Sequence, residues 1–348
     1  MNNYKKELTM NKLTKIGVSA LCGSLAAVAS ANAGELTVKG GATATWSSNE
    51  GDVTGNPIGL SSGITFTGSG ELDNGTTFTL TLTNADQSAY SAGAISMATP
   101  SMGTFTIDQS GGGLDRIDDM MPTAWEETTG TSLGTGLQTV TGAGVGGSSV
   151  EWAVPADMLP DGLSAHVAWS PRASASGNTN DKSVGGTGNA KAGSGWDIVL
   201  QHSGLMDGLN VFAGHSSIEQ AAASADGDRK QKAIGATYAV GSVTVGYQWS
   251  MDSQQGLTGL TSYYENDAYG ISFAVNDDLS LSYGVHKSDR VLNGSGNNTT
   301  VTTEVDSLQM SYSMGGASVK VAETSMTDGS YNTANDKDAT TVALTLAF

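Results

Sequence analysis

Five carboxylates set the chemistry this chain can do. Asp115, Asp118, Asp119, Glu126 and Glu127 fall between Asp108 and Gly147, a segment whose only base is Arg116. Crowded carboxylates draw cations toward them and turn anions away. They also suit Ca²⁺ at acidic loops, although no EF-hand spacing encloses them. Acid–base or nucleophilic catalysis lacks its partners. His166, His202, His215 and His286 show no close paired spacing with carboxylates along the sequence, and no Ser-His or Asp-His constellation assembles from it. Two motifs are chance matches in a chain with 47 glycines. Gly59 to Gly63 spells G-x-S-x-G but opens a strand, and Gly142 to Gly147 spells G-x-G-x-x-G with no helix after it. Asn298-Thr299-Thr300 is a formal sequon only.

The elements that must carry this loop are strands. Residues 340–348 alternate strictly: Val342, Leu344, Leu346 and Phe348 share one face, and Thr341, Ala343, Thr345 and Ala347 share the other. The same two-residue period runs through Glu35 to Ser47, with Leu36, Val38 and Trp46 opposite Thr37, Lys39, Thr43 and Thr45. Asp73-Asn74-Gly75 turns a hairpin between Ile64, Phe66 and Leu72 on one arm and Phe78, Leu80 and Leu82 on the other. Further hairpins turn at Met206-Asp207-Gly208, Gly241, Asn276-Asp277-Asp278 and Gly315-Gly316. The pattern predicts sixteen strands. Glu304 and Asp306 break it by sharing parity with Leu308, so they sit above the apolar belt or a bulge shifts the register.

The amino terminus reads as an export signal. Lys12 and Lys15 precede the apolar run Ile16 to Ala29, and Ala31-Asn32-Ala33 supplies an A-x-A site with cleavage before Gly34. The run falls short of the roughly 20 apolar residues of a spanning helix. Cys22, the only cysteine, lies inside it, leaving residues 34–348 as one domain without a thiol or disulfide. The whole chain carries −18. Without residues 1–33, which hold Lys5, Lys6, Lys12, Lys15 and Glu7, 12 basic residues face 33 acidic ones, a charge of −21. That balance argues against nucleic acid as a partner.

Short turns rich in Asn, Asp, Gly or Pro alternate with longer polar connections, and an even strand count returns both ends to one side. This pattern is expected of a transmembrane β-barrel. Trp46, Trp169, Trp196 and Trp249 fall near strand ends beside long connections, as in an interfacial aromatic girdle. A soluble β-solenoid would show a fixed short repeat, which is missing.

Topology, loop order and the aromatic terminal strand resemble the general-diffusion porins of Gram-negative outer membranes, the alphaproteobacterial type in particular. The stretch Asp118 to Glu127 is similar to the acidic segment of their third external loop. The resemblance implies an all-β, 16-stranded antiparallel barrel, a third external loop folded inward, and Phe348 as part of the signal read by the barrel-insertion machinery. It also implies a homotrimer in outer-membrane lipid, with basic residues facing the loop acids across a constriction. Lys39 and Lys320 have inward parity, Arg172 stands at a strand mouth, and Lys230 and Lys232 have the wrong parity. So few bases against five acids imply passive diffusion of small polar solutes with a mild preference for cations and no cofactor. The alternative is a barrel plugged by its long loop that acts as an adhesin or structural wall protein.

Overall fold

The computed structural model describes residues 33–50, 56–86, 88–108, 111–130, 133–143, 149–171, 192–220, 226–294 and 300–347. The alternating segments form sixteen strands. In chain order they are β1 (Ala33–Glu50), β2 (Ile58–Glu71), β3 (Thr77–Ala85), β4 (Ser88–Thr99), β5 (Gly103–Asp108), β6 (Ser149–Ala153), β7 (Leu163–Ser170) and β8 (Ala192–His202). The second half comprises β9 (Leu209–Gln220), β10 (Arg229–Val240), β11 (Val243–Ser253), β12 (Thr261–Ala274), β13 (Leu279–Leu292), β14 (Thr300–Met314), β15 (Ala317–Thr327) and β16 (Lys337–Ala347).

Each strand pairs antiparallel with its sequence neighbours, and β1 closes on β16 in the register Gly41↔Ala347 through Glu50↔Asp338. Closure matters because a strand edge in hydrocarbon would leave backbone groups without partners. Leu36, Val38, Leu60, Phe66, Leu344 and Leu346 are exposed on the outer face, the apolar belt expected of a transmembrane barrel. The inner face of β16 carries the buried Ala339, Thr341 and Ala343. Phe348, Arg172 and residues 1–32 of the export segment lie outside the described residues, and its last residue, Ala33, opens β1.

The seven connections on the side of the termini span two to nine residues, whereas those opposite reach 40 residues at 109–148. Trp46, Trp169 and Trp196 are exposed on the outer face toward the long-connection end, and Trp169 pairs with Trp196 across β7 and β8. Trp249 shares that face and donates to Glu265 at 2.8 Å. Glu304 and Asp306 keep an unbroken register with both β13 and β15, so no bulge excuses them. They stand on the outer face above the apolar belt, where Glu304 meets Lys287 at 3.0 Å.

Candidate functional site

The described parts of the long connection, 111–130 and 133–143, run inside the barrel as a strap. Gly113, with a positive φ of 63°, opens a short 3₁₀ turn over Gly113–Ile117 that brings the chain inward. Inward parity then supplies anchors along the wall. Glu151 on β6, 2% exposed, accepts from the Gly113 amide at 2.6 Å and from the Arg116 guanidinium, whose Nε lies 2.8 Å from Oε2. Asp197 on β8 is fully buried and accepts from the amides of Leu114 at 3.2 Å and Ala143 at 3.0 Å. Gln231 on β10 takes the Gly142 amide at 2.7 Å, and Ser282 on β13 takes the Ala124 amide at 2.8 Å.

Gln309 on β14 holds the far turn. Its Oε1 accepts from the amides of Trp125 and Glu126, both at 3.1 Å, and its Nε2 donates to the Glu126 carbonyl at 2.9 Å. The returning limb is clasped by the connection before β16, where the Tyr331 hydroxyl accepts from the Gln138 amide at 2.9 Å and meets Ser288 Oγ at 2.7 Å. Arg290 lies 5.1 Å over the Tyr331 ring.

Polar anchors are half of the attachment. Leu114, Ile117 and Val140 of the strap are fully buried against Val199, Phe212 and Ala233 on the inner wall. Leu133 makes a second cluster with Val305, Met326 and Ala339. A buried side chain of this size contributes about 1.5–3 kcal/mol. The wall also recedes where the strap is tightest. A Cβ on Gly246 would come 2.6 Å from Pro122 Cδ, and one on Gly270 would come 2.9 Å from the Pro122 carbonyl oxygen.

Held this way, the strap brings Asp118, Asp119, Glu126 and Glu127 around one cavity between itself and the β11–β13 wall. Burial, with Asp115, Asp119 and Glu127 close by, pushes the Asp118 carboxyl up to about 8. Burial raises Glu126 and Glu127 as well, the former with Glu127 adding and Lys320 opposing. Asp115 is raised by burial and by Asp119 and Asp108, an effect Arg116 only partly offsets. Arg116 itself is engaged by Glu151 at the root of the strap.

Of the bases expected on the wall, Lys320 places Nζ 5.9 Å from the Trp125 ring centroid, beside the acidic turn. Lys39 lies on the inner face of β1, in a cleft with Thr43, Thr65 and Thr345, and among the described residues no ion pair ties it to the strap. Lys230 and Lys232 fall on the outer parity with Ile234, while Arg229 faces inward and pairs with Asp252 at 2.6 Å. Among the described residues, no three His, Cys, Asp or Glu side chains converge so as to hold a metal ion.

The anchors Glu151, Asp197, Gln231, Gln248 and Gln309 are missing from the expectations drawn above. For Glu151, Gln248 and Gln309 the signal is a long polar side chain at an inward position, flanked two residues away on each side by Ser, Ala or Gly. Val199, Phe212, Val305 and Met326 give a second signal, apolar residues on the face that should be wet.

A closed sixteen-stranded barrel with an apolar outer belt and an inward strap defines a transmembrane barrel of the outer-membrane kind. A family model described as Gram-negative porin matches residues 17–348, and the chain belongs to that family. No curated protein matches it. Among solved structures, Salmonella typhi OmpF in complex with daunomycin aligns with a TM-score of 0.65 at 16% identity, covering 90% of this chain and 97% of the other. An anion-selective porin from Comamonas acidovorans gives 0.63 at 13%, covering 90% and 99%. A variant of the porin of Rh. blastica gives 0.55 at 16%, covering 90% and 100%. The protein is thus an outer-membrane diffusion channel of a Gram-negative bacterium.

Proposed function

We propose that the strap forms the constriction of this channel and gives it a preference for cations. The observation that carries the reading is the crowding of Asp115, Asp118, Asp119, Glu126 and Glu127 on a strap pinned along the inner wall, with Arg116 engaged by Glu151 and Lys320 beside Trp125. Fold alone does not set ion preference, since a porin named as anion-selective shares this one. Charge along the path does. Small hydrophilic solutes then cross by diffusion, without catalysis, an energy source or a resident cofactor. Ca²⁺ is drawn to the acids as other cations are.

The unit in the membrane is a homotrimer, delivered after removal of residues 1–33 and inserted through a signal that includes Phe348. Lys39 adds to the basic side of the path from the inner face of β1. A plugged adhesin would need a strap that seals the lumen, and family membership weighs against it. The test is single-channel recording of the detergent-purified mature protein, beside a variant combining Asp118→Asn, Asp119→Asn and Glu127→Gln. The wild-type barrel should conduct in steps of three, and the variant should lose most of its cation preference while still conducting. A folded barrel that does not conduct would overturn the reading.

A further inference from the structure

The cavity behind the strap has chemistry that simple diffusion does not use. It encloses about 380 Å³. The strap contributes Asp118, Asp119, Glu127 and the Trp125 ring, and the wall contributes Gln248 and His286. Gln248 is 4% exposed, and its Oε1 has no hydrogen-bond partner, although its Nε2 reaches the Asp118 carbonyl at 3.5 Å. His286 Nε2 is likewise buried and without a partner. Among the described residues, no lysine or arginine lines the space. Lys320 approaches Trp125 but stays outside the lining.

Most of these groups share one need. A carboxylate and an amide oxygen only accept hydrogen bonds, and a neutral imidazole protonated at Nδ1 presents a lone pair at Nε2. The hydroxyls of Thr123, Thr128, Thr129 and Ser250 in the lining can turn to accept, while the Asp118 carboxyl joins the acceptors only above about pH 8. Unpaired buried acceptors are costly to leave unmade. A ligand that satisfies them must carry donors and positive charge, and the face of Trp125 favours a cation or the alkyl stem next to it.

We propose that this cavity binds a primary ammonium group, so that small alkylamines dwell behind the strap on their way through the channel. An ammonium offers three donors and no acceptor, which matches the lining. A quaternary ammonium of equal charge has no N–H to give, and an anion is repelled. This site rests on the reading that cations reach the lumen, but binding can be read without conduction.

The experiment is saturation-transfer NMR on the full folded barrel in detergent, with butylammonium and butyltrimethylammonium as probes. Butylammonium should bind saturably, about tenfold more tightly than its quaternary analogue, because the charge-assisted hydrogen bonds are lost in the latter. Gln248→Met and His286→Phe should each weaken butylammonium about fivefold or more. Folding of each variant is checked by its resistance to unfolding in cold SDS, and if one fails to fold the other carries the test. Equal binding of both probes, or full-strength binding in the variants, would mean that the carboxylates collect any cation and would overturn the site. So would the absence of binding to a wild-type barrel that conducts KCl. A barrel that binds butylammonium as described but does not conduct would instead remove the channel reading and leave the site.

Discussion

Gln309 offers the sharpest handle on how the strap is held. Gln309→Leu keeps the approximate volume and removes the three hydrogen bonds this side chain makes to the strap, those from the Trp125 and Glu126 amides and that to the Glu126 carbonyl. At a net of about 1 kcal/mol each, the loss is about 3 kcal/mol. Since 1.4 kcal/mol is a factor of ten, the far turn of the strap should open roughly 100-fold more often. Hydrogen exchange read by mass spectrometry should show faster exchange at Trp125 and Glu126. The root should stay protected, because the Gly113, Leu114 and Ala143 amides are held by Glu151 and Asp197 instead. Single-channel current should become noisier as the turn samples the lumen. Unchanged exchange at Trp125 and Glu126 would refute the reasoning, and equal loss of protection at the root would show that the strap moves as one body.

The raised Asp118 carboxyl makes the strap sensitive to pH. Because the ordered strap holds a proton that a released loop would lose, its contribution to order is complete below the ordinary aspartate value and is lost as pH rises through about 8. Protection of the strap amides should fall and cation preference should rise over that window, and Asp118→Asn should flatten both curves. Gly246→Val should cost about 1–3 kcal/mol and lower conductance by pushing Pro122 into the lumen. The same change at Gly68, where a Cβ meets nothing within 4 Å, should leave conductance unaltered. Lys320→Ala removes the base beside Trp125, so the reversal potential should move further toward the cation limit.

The barrel is legible in the sequence because a two-sided environment, lipid outside and polar lumen inside, imposes a period of two on every strand. Leu344 and Leu346 against Ala343 and Thr341 show it, and so does the correct outward placement of Lys230 and Lys232. The strap was legible as an acidic insertion too long for a turn. Its attachment was not. Whether Asp197 or Gln309 meets water or a loop amide depends on which parts of the insertion pass over each strand, and periodicity within a strand is silent on that. Phe212 and Val305 read as ordinary strand residues until the strap supplies Leu114 and Leu133 to cover them. Equally, two-residue parity puts Lys39 and Lys320 on the same inner face, but only three-dimensional placement shows that Lys320 reaches the acidic turn.

The reversal potential of the purified wild-type channel across a KCl gradient tests the central claim most directly. A strap of carboxylates held in the path predicts a potential of the sign set by K⁺, growing as pH rises through about 8. A potential of the sign set by Cl⁻, or one indifferent to pH in that window, would contradict the account.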